Sequence, residues 1–190
     1  MPNWASNEYY LTGALNDVKL AKELLDRSFA NDKDQQLSTL LNTLGGDSDD
    51  RSVDCRGWVN SYEVVLDGKA LWISTTSAWR NHDAAIVMLC HRCRLQKYFM
   101  SEELGCGWWV TNDNERLYWN SDLIYLSAVE DGRDVLGRSY WDEAACLDAV
   151  KYLCPTFFGN SREAIESALK QWKSEGSGKR KVCFCQCEVI

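Results

Sequence analysis

The chain has 190 residues, of which 45% are hydrophobic and 26% charged, an ordinary balance for a globular protein long enough to bury a sizeable core. Its 28 acidic against 21 basic side chains give a formal net charge of -7, which disfavours a nonspecific grip on nucleic acid, because that grip needs cations to displace phosphate counterions. No run of about 18 apolar residues occurs, so no membrane span is expected. The first twenty residues lack the basic and apolar regions of a secretory signal, and the protein reads as cytoplasmic.

Two prolines and the lack of a Pro/Ser-rich linker argue against a string of modules. We expect one compact domain over 1–190, with a possible internal boundary in the acidic loop 45–56. Residues 5–13 read as a short strand ending at Gly13. Val18, Leu20, Ala21, Leu24, Leu25 and Phe29 then recur at helical spacing, with Asn16 or Asp17 as cap. A second helix fits Gln35 to Leu44 and stops at Gly45-Gly46. The polar stretch Asp47-Ser48-Asp49-Asp50-Arg51-Ser52 follows; it lacks the later glycine and glutamate of an EF-hand loop.

Trp58–Leu66 and Ala70–Thr76 have strand composition, and Asp67-Gly68 between them is a hairpin signal. A helix is expected from Ala84 to about Cys93, capped by Asn81 or Asp83. A strand over Leu95–Ser101 leads through Glu102-Glu103-Leu104-Gly105-Cys106-Gly107 into Trp108-Trp109-Val110-Thr111. Another strand covers Asp122–Val129 and stops at Asp131-Gly132. Trp141–Leu153 reads as a helix that Pro155 ends. A second helix, capped by Asn160 or Ser161, runs to Trp172, and Glu175-Gly176-Ser177-Gly178 separates it from a terminal strand over Val182–Ile190 that adds to the sheet. The order implies an α+β fold with an antiparallel sheet, helices on one face, and further N- and C-terminal helices.

The opening Met1-Pro2-Asn3-Trp4-Ala5-Ser6-Asn7, running into Glu8-Tyr9-Tyr10-Leu11-Thr12-Gly13, resembles the YubB-type ferredoxin-like family of plasmids, phages and integrated mobile elements. Thr75-Thr76-Ser77-Ala78-Trp79 resembles the element that ends the family's strand before its central helix. Glu102-Glu103-Leu104-Gly105-Cys106-Gly107 resembles the acidic turn after the following strand. Arg80-Asn81 departs from the family, where proline often follows that Trp. The resemblance covers roughly residues 1–13 and 58–113, and it implies a ferredoxin-like arrangement and a mobile-element setting without supplying an activity.

The nine cysteines and nine tryptophans are the unusual counts. Cys90-His91-Arg92-Cys93 has zinc-ligand spacing, and Cys183, Cys185 and Cys187 alternate so that a strand would project them from one face. Cys90, Cys93, Cys183 and Cys185 are therefore candidate Zn ligands, set against burial of the thiols in a core. A Cys–His dyad is disfavoured, because His91 beside Cys90 points about 100° away on a helix, and His82 is the only other histidine. Gly45-Gly46 and Gly176-Ser177-Gly178 lack the context of a phosphate loop. Lys179-Arg180-Lys181 is too short for a nucleic-acid arm.

The favoured expectation is a non-enzymatic protein that binds another macromolecule, most simply a protein, through exposed aromatics and acidic turns. Trp79, Trp109, Glu102, Glu103 and Asp113 are its candidate binding residues, and no cofactor is expected. The alternatives are a cysteine-rich Zn protein or enzyme, and an acidic mimic of nucleic acid directed at a host defence protein.

Overall fold

A computed structural model describes residues 3–50, 53–104, 107–176 and 179–190, with the side chains of 138–140 excepted. Met1-Pro2 of the opening motif, Arg51-Ser52 of the acidic loop, Gly105-Cys106 of the turn and Ser177-Gly178 lie outside the described residues. The fold is mixed α+β with two sheets. Where the sequence reads as one compact domain, the chain divides into two compact units. The first comprises residues 1–103, 110–119 and 189–190; the second comprises 104–109 and 120–188. The acidic loop 45–56 lies inside the first unit rather than between the two.

The first unit begins with β1 (Trp4–Thr12), followed by α1 (Leu15–Phe29) and α2 (Leu37–Thr43). Next come β2 (Gly57–Val65), β3 (Ala70–Ala78), α3 (Ala84–Cys93) and β4 (Gln96–Glu103). With β5 (Trp108–Thr111) and the terminal β9 (Glu188–Val189), these strands form a sheet in the order β2-β3-β1-β4-β5-β9. β1 is antiparallel to both β3 and β4, and β2 is antiparallel to β3. The Asp67-Gly68 hairpin forms as its sequence predicts. Leu66, Asp67 and Gly68 all adopt positive φ, and a short 3-10 turn joins β2 to β3.

Strict alternation on β1 sets the layers. Ala5, Asn7, Tyr9 and Leu11 are buried, whereas Trp4, Ser6, Glu8, Tyr10 and Thr12 take the opposite face. On the buried side the central strands meet the stripe Val18, Ala21, Leu24 and Leu25 of α1, Leu37, Leu40 and Leu41 of α2, and Ile86 and Leu89 of α3. α1 starts at Leu15, earlier than an Asn16 or Asp17 cap would place it. Asp17 instead occupies the first turn, favourable to the helix dipole, and pairs with Arg94 at 3.1 Å. Asp83 is the N-cap residue of α3, but its carboxylate pairs with Lys97 rather than closing the cap.

The second unit has a three-stranded antiparallel sheet, order β7-β6-β8, made of β6 (Ile124–Glu130), β7 (Arg133–Trp141) and β8 (Arg180–Gln186). α4 (Glu143–Leu153) and α5 (Arg162–Glu175) pack on it through Cys146, Val150, Leu153, Ile165, Leu169 and Trp172 against Ile124, Leu126 and Ala128. Asp142 and Ser161 cap the two helices, accepting from the amides of Ala145 and Ala164. Arg180 is an internal brace: it lies 4.7 Å over the Trp172 ring and pairs with Glu130 at 2.6 Å. β7 has no counterpart in the sequence reading, because Gly137 and two register shifts against β6 break its alternation. The predicted terminal strand is split, β8 joining this sheet and β9 the first unit's. No helix among the described residues is long and apolar enough to cross a membrane.

Candidate functional site

The face of the first unit's sheet turned away from its helices carries the most distinctive chemistry in the molecule. The pairing register places Trp4, Ser6, Glu8 and Tyr10 of β1 beside Trp72, Ser74 and Thr76 of β3 and Tyr98, Met100 and Glu102 of β4. Trp58, Ser61 and Glu63 of β2 continue the face past the bulge between Val59 and Ser61. Five aromatic rings and three carboxylates share it. None of these positions on β1–β4 is Lys or Arg.

Two clusters organise the rings. At one end, Trp4 and Trp58 pack with centroids 4.7 Å apart, and with Asp34, Gln36, Arg56 and Gly57 they line a groove of about 440 Å³. Gly57 lets the strands close there: a Cβ would fall 2.2 Å from the Thr76 carbonyl oxygen. Along the middle, Tyr118 stacks on Tyr10 at 4.2 Å and 13°, and Tyr98 and Trp119 close around the pair. The Trp119 indole N–H donates to Glu8 at 3.3 Å.

The five predicted binding residues divide. Trp79 is 55% exposed, and its φ of 71° is costly for a bulky side chain. Its amide donates to the Asn3 carbonyl at 2.7 Å, which fixes it at the start of β1. Glu102 and Glu103 end β4 at this same end of the sheet, both half-buried. Glu102 shares the face of Trp4 and Trp58 at this end of the sheet, whereas Glu103 alternates to the opposite face. Trp109 and Asp113 do not present themselves to a partner. Trp109 is only 4% exposed, and of the Trp108-Trp109 pair it is the inward ring. Asp113 is fully buried, and its carboxylate accepts the amides of Leu117, Tyr118 and Trp119. It builds the loop that lies over Tyr10.

Of the described thiols, Cys90, Cys93, Cys146 and Cys185 are buried, and Cys55, Cys154, Cys183 and Cys187 are half-buried. Cys90 and Cys93 sit on the buried side of α3, and burial pushes Cys90 up to about 12 and raises Cys93 as well. A sulfur so protonated is a poor nucleophile. His91 is exposed while its neighbour Cys90 is buried, as helical geometry requires. Cys183 and Cys185 share one face of β8, opposite Phe184, and belong to the second unit, whereas Cys90 and Cys93 belong to the first. Among the described residues no three His, Cys, Asp or Glu side chains are placed to hold a metal ion.

A scan against protein-family models, a search of curated proteins and a search of solved structures each found no match to this chain. The residues themselves must then carry the functional reading. Sequence inspection missed Trp4, Trp58, Glu8 and Glu63 as members of one surface. The period-two alternation of β1 was the signal that could have grouped Trp4 with Glu8 and Tyr10.

The second unit shows two isolated aromatics, Phe158 at 96% and Tyr152 at 69% exposure. Since Phe158 buries almost nothing within the chain, Phe158→Ser is expected to change the melting free energy by less than about 0.5 kcal/mol. Chemical denaturation of the two proteins side by side checks this, and a larger loss would make the ring part of the fold.

Proposed function

We propose that this protein is a non-enzymatic, ferredoxin-like interaction protein of a mobile genetic element, acting in the cytoplasm by binding a protein partner through a basic segment. The observation that carries the reading is the union of five aromatic rings with Glu8, Glu63 and Glu102 on a sheet face whose β1–β4 positions lack Lys and Arg. Aromatic faces attract guanidinium and ammonium groups through the ring quadrupole, and nearby carboxylates add ordinary charge attraction. The same carboxylates repel a phosphate backbone, so stacking of single-stranded nucleic acid is disfavoured despite the rings. Rings outnumber carboxylates here, which makes acidic mimicry of nucleic acid the weaker reading.

The β-α-β-β-α-β order of the first four strands, with α1 and α2 in the first crossover and the spatial order β2-β3-β1-β4, supports the ferredoxin-like arrangement. Asn3-Trp4-Ala5-Ser6-Asn7, the described part of the opening motif, leads into and forms the start of β1. It contributes Trp4 to the face and Asn7 to the interior. The protonated, buried Cys90 and Cys93 support a binding role over thiol chemistry.

The test is fluorescence anisotropy with a library of arginine- and lysine-rich peptides, acidic peptides of equal length, and a single-stranded oligonucleotide. Members of the basic library alone are expected to bind. Trp4→Ala should weaken the best of them by about five- to tenfold, the size of one cation–aromatic contact. Glu63→Lys should weaken it by about tenfold at low salt and less at high salt. Preference for the oligonucleotide, or equal affinities for both variants and the parent protein, would refute the reading.

A further inference from the structure

The segment that carries Trp58 onto the sheet face is tied to the segment that follows Trp79 through a single buried imidazole. His82 is 6% exposed. Its Nδ1 lies 3.2 Å from the backbone amide nitrogen of Arg56 and 2.8 Å from Oδ1 of Asp54. One nitrogen cannot serve both neighbours in one protonation state. As the neutral Nε2–H tautomer it accepts the Arg56 N–H on Nδ1; protonated, it carries a proton on both nitrogens, Nδ1 donates to the Asp54 carboxylate, and the Arg56 N–H loses its acceptor.

We propose that His82 is a proton-operated latch that holds the Trp58 arm of the sheet face when neutral and releases it when protonated. The regulatory part rests on the sheet face being the binding surface.

The surroundings are arranged for such a device. Arg56 and Asp54 face His82 from the strand-entry segment, and Arg80 and Asp83 from the segment after β3. Asp83 is already paired with Lys97, and Arg80 with Asp54 at 3.7 Å. From Gly57 onward the arm is paired with β3, the Arg56 carbonyl accepts the Ala78 amide and Val59 donates to the Gln35 carbonyl, so the His82 bond acts on the residues that lead into β2. Trp58 and Gly57 follow Arg56 directly, so a change at the Arg56 amide is carried straight into the groove between Trp4 and Trp58. On the other side, Ser77 Oγ donates to the Arg80 carbonyl and Tyr9 hydrogen-bonds Asn81, which anchors His82 itself.

Burial lowers the His82 pKa from its ordinary value of about 6.5, with Arg80 and Arg56 adding to the effect and Asp54 opposing it. The folded chain therefore binds this proton less readily than the unfolded one. The stability contributed by the neutral latch is complete above about pH 6.5 and is lost as pH falls from there towards the lowered folded value. Release consequently falls on the acid side of neutrality.

The experiment is an NMR pH titration of the full chain from pH 8 to 5, following the His82 imidazole nitrogens, the Arg56 amide and the Trp58 indole. All three are expected to move with one midpoint. Affinity for the best basic peptide should fall about fivefold across it, the equivalent of one lost hydrogen bond. His82→Asn places an amide oxygen where Nδ1 stood, so it should keep the arm held and abolish the titration of both reporters. Asp54→Asn, at an exposed position, should lower the His82 midpoint by removing the negative charge that favours the protonated form. An Arg56 amide that does not follow His82, or a His82→Asn protein whose reporters still titrate, would overturn the latch. If the three reporters move together but no basic peptide binds at any pH, the latch stands as a conformational device and the sheet-face reading falls.

Discussion

Replacing Asn7 with alanine is expected to cost about 3 kcal/mol of stability and to lower the first unit's melting midpoint by roughly 6–12 °C. Asn7 is fully buried at the centre of β1, on the side that faces the helices. Its amide donates to Thr75 Oγ1 at 3.1 Å and Ser77 Oγ at 2.8 Å, both on β3, and its carbonyl oxygen accepts from Ser101 Oγ of β4 at 2.6 Å. One side chain thus pins three strands in register. Truncation removes one partner from each of three buried hydroxyls at once, and a buried group left unsatisfied costs about 1–3 kcal/mol before relaxation. Ser77 retains the Arg80 carbonyl as acceptor, which keeps the total at the lower end. Ser6→Ala, one residue away on the open face, is expected to stay within about 0.5 kcal/mol of the parent. Urea denaturation of both variants checks the contrast, and coincident curves would mean that the polar seam does not hold the strands.

Asp113→Ala is expected to cost a comparable amount, about 3 kcal/mol, and to free the loop that covers Tyr10. The carboxylate accepts the amides of Leu117 at 2.9 Å, Tyr118 at 2.7 Å and Trp119 at 3.1 Å. Hydrogen bonds to a charged acceptor are each worth about 1.5–3 kcal/mol, and partial exposure of the three amides keeps the total near the lower end. Without it, the Tyr118–Tyr10 stack and the Trp119–Glu8 contact lose their support. The signature is local as well as global: red-shifted tryptophan emission and faster exchange of the 117–119 amides. Asp113→Asn, which keeps one carbonyl acceptor, should fall between the parent and the alanine variant. Unchanged emission and exchange in Asp113→Ala would show that other contacts hold the loop.

These two residues also show how much of the site was readable beforehand. The composition of Asn112-Asp113-Asn114 predicts a turn and makes Asp113 a candidate binding residue. Turn chemistry does place a turn there, but the carboxylate points inward to serve three amides. Composition alone cannot distinguish a carboxylate that meets solvent from one that collects backbone N–H groups. Trp109, a candidate binding residue in the sequence, is buried, which the sequence leaves open for a related reason. Alternation says that Trp108 and Trp109 face opposite ways, yet it does not say which way is inward until the neighbouring strands are assigned.

What the sequence by itself determined was local and periodic. The helix stripes of α1 and α3, the Asp67-Gly68 hairpin, a cap at Asn160 or Ser161, the divergent directions of Cys90 and His91, and the shared face of Cys183 and Cys185 all follow from local composition and spacing, which backbone geometry converts directly into direction. Only the tertiary structure decided the rest. The strand order brings Trp4, Trp58 and Trp72 onto one face from positions far apart in the chain. The same order buries Asn7 among hydroxyls from two other strands. Each of these depends on long-range pairing, where the energy gained belongs to partners that no local window contains.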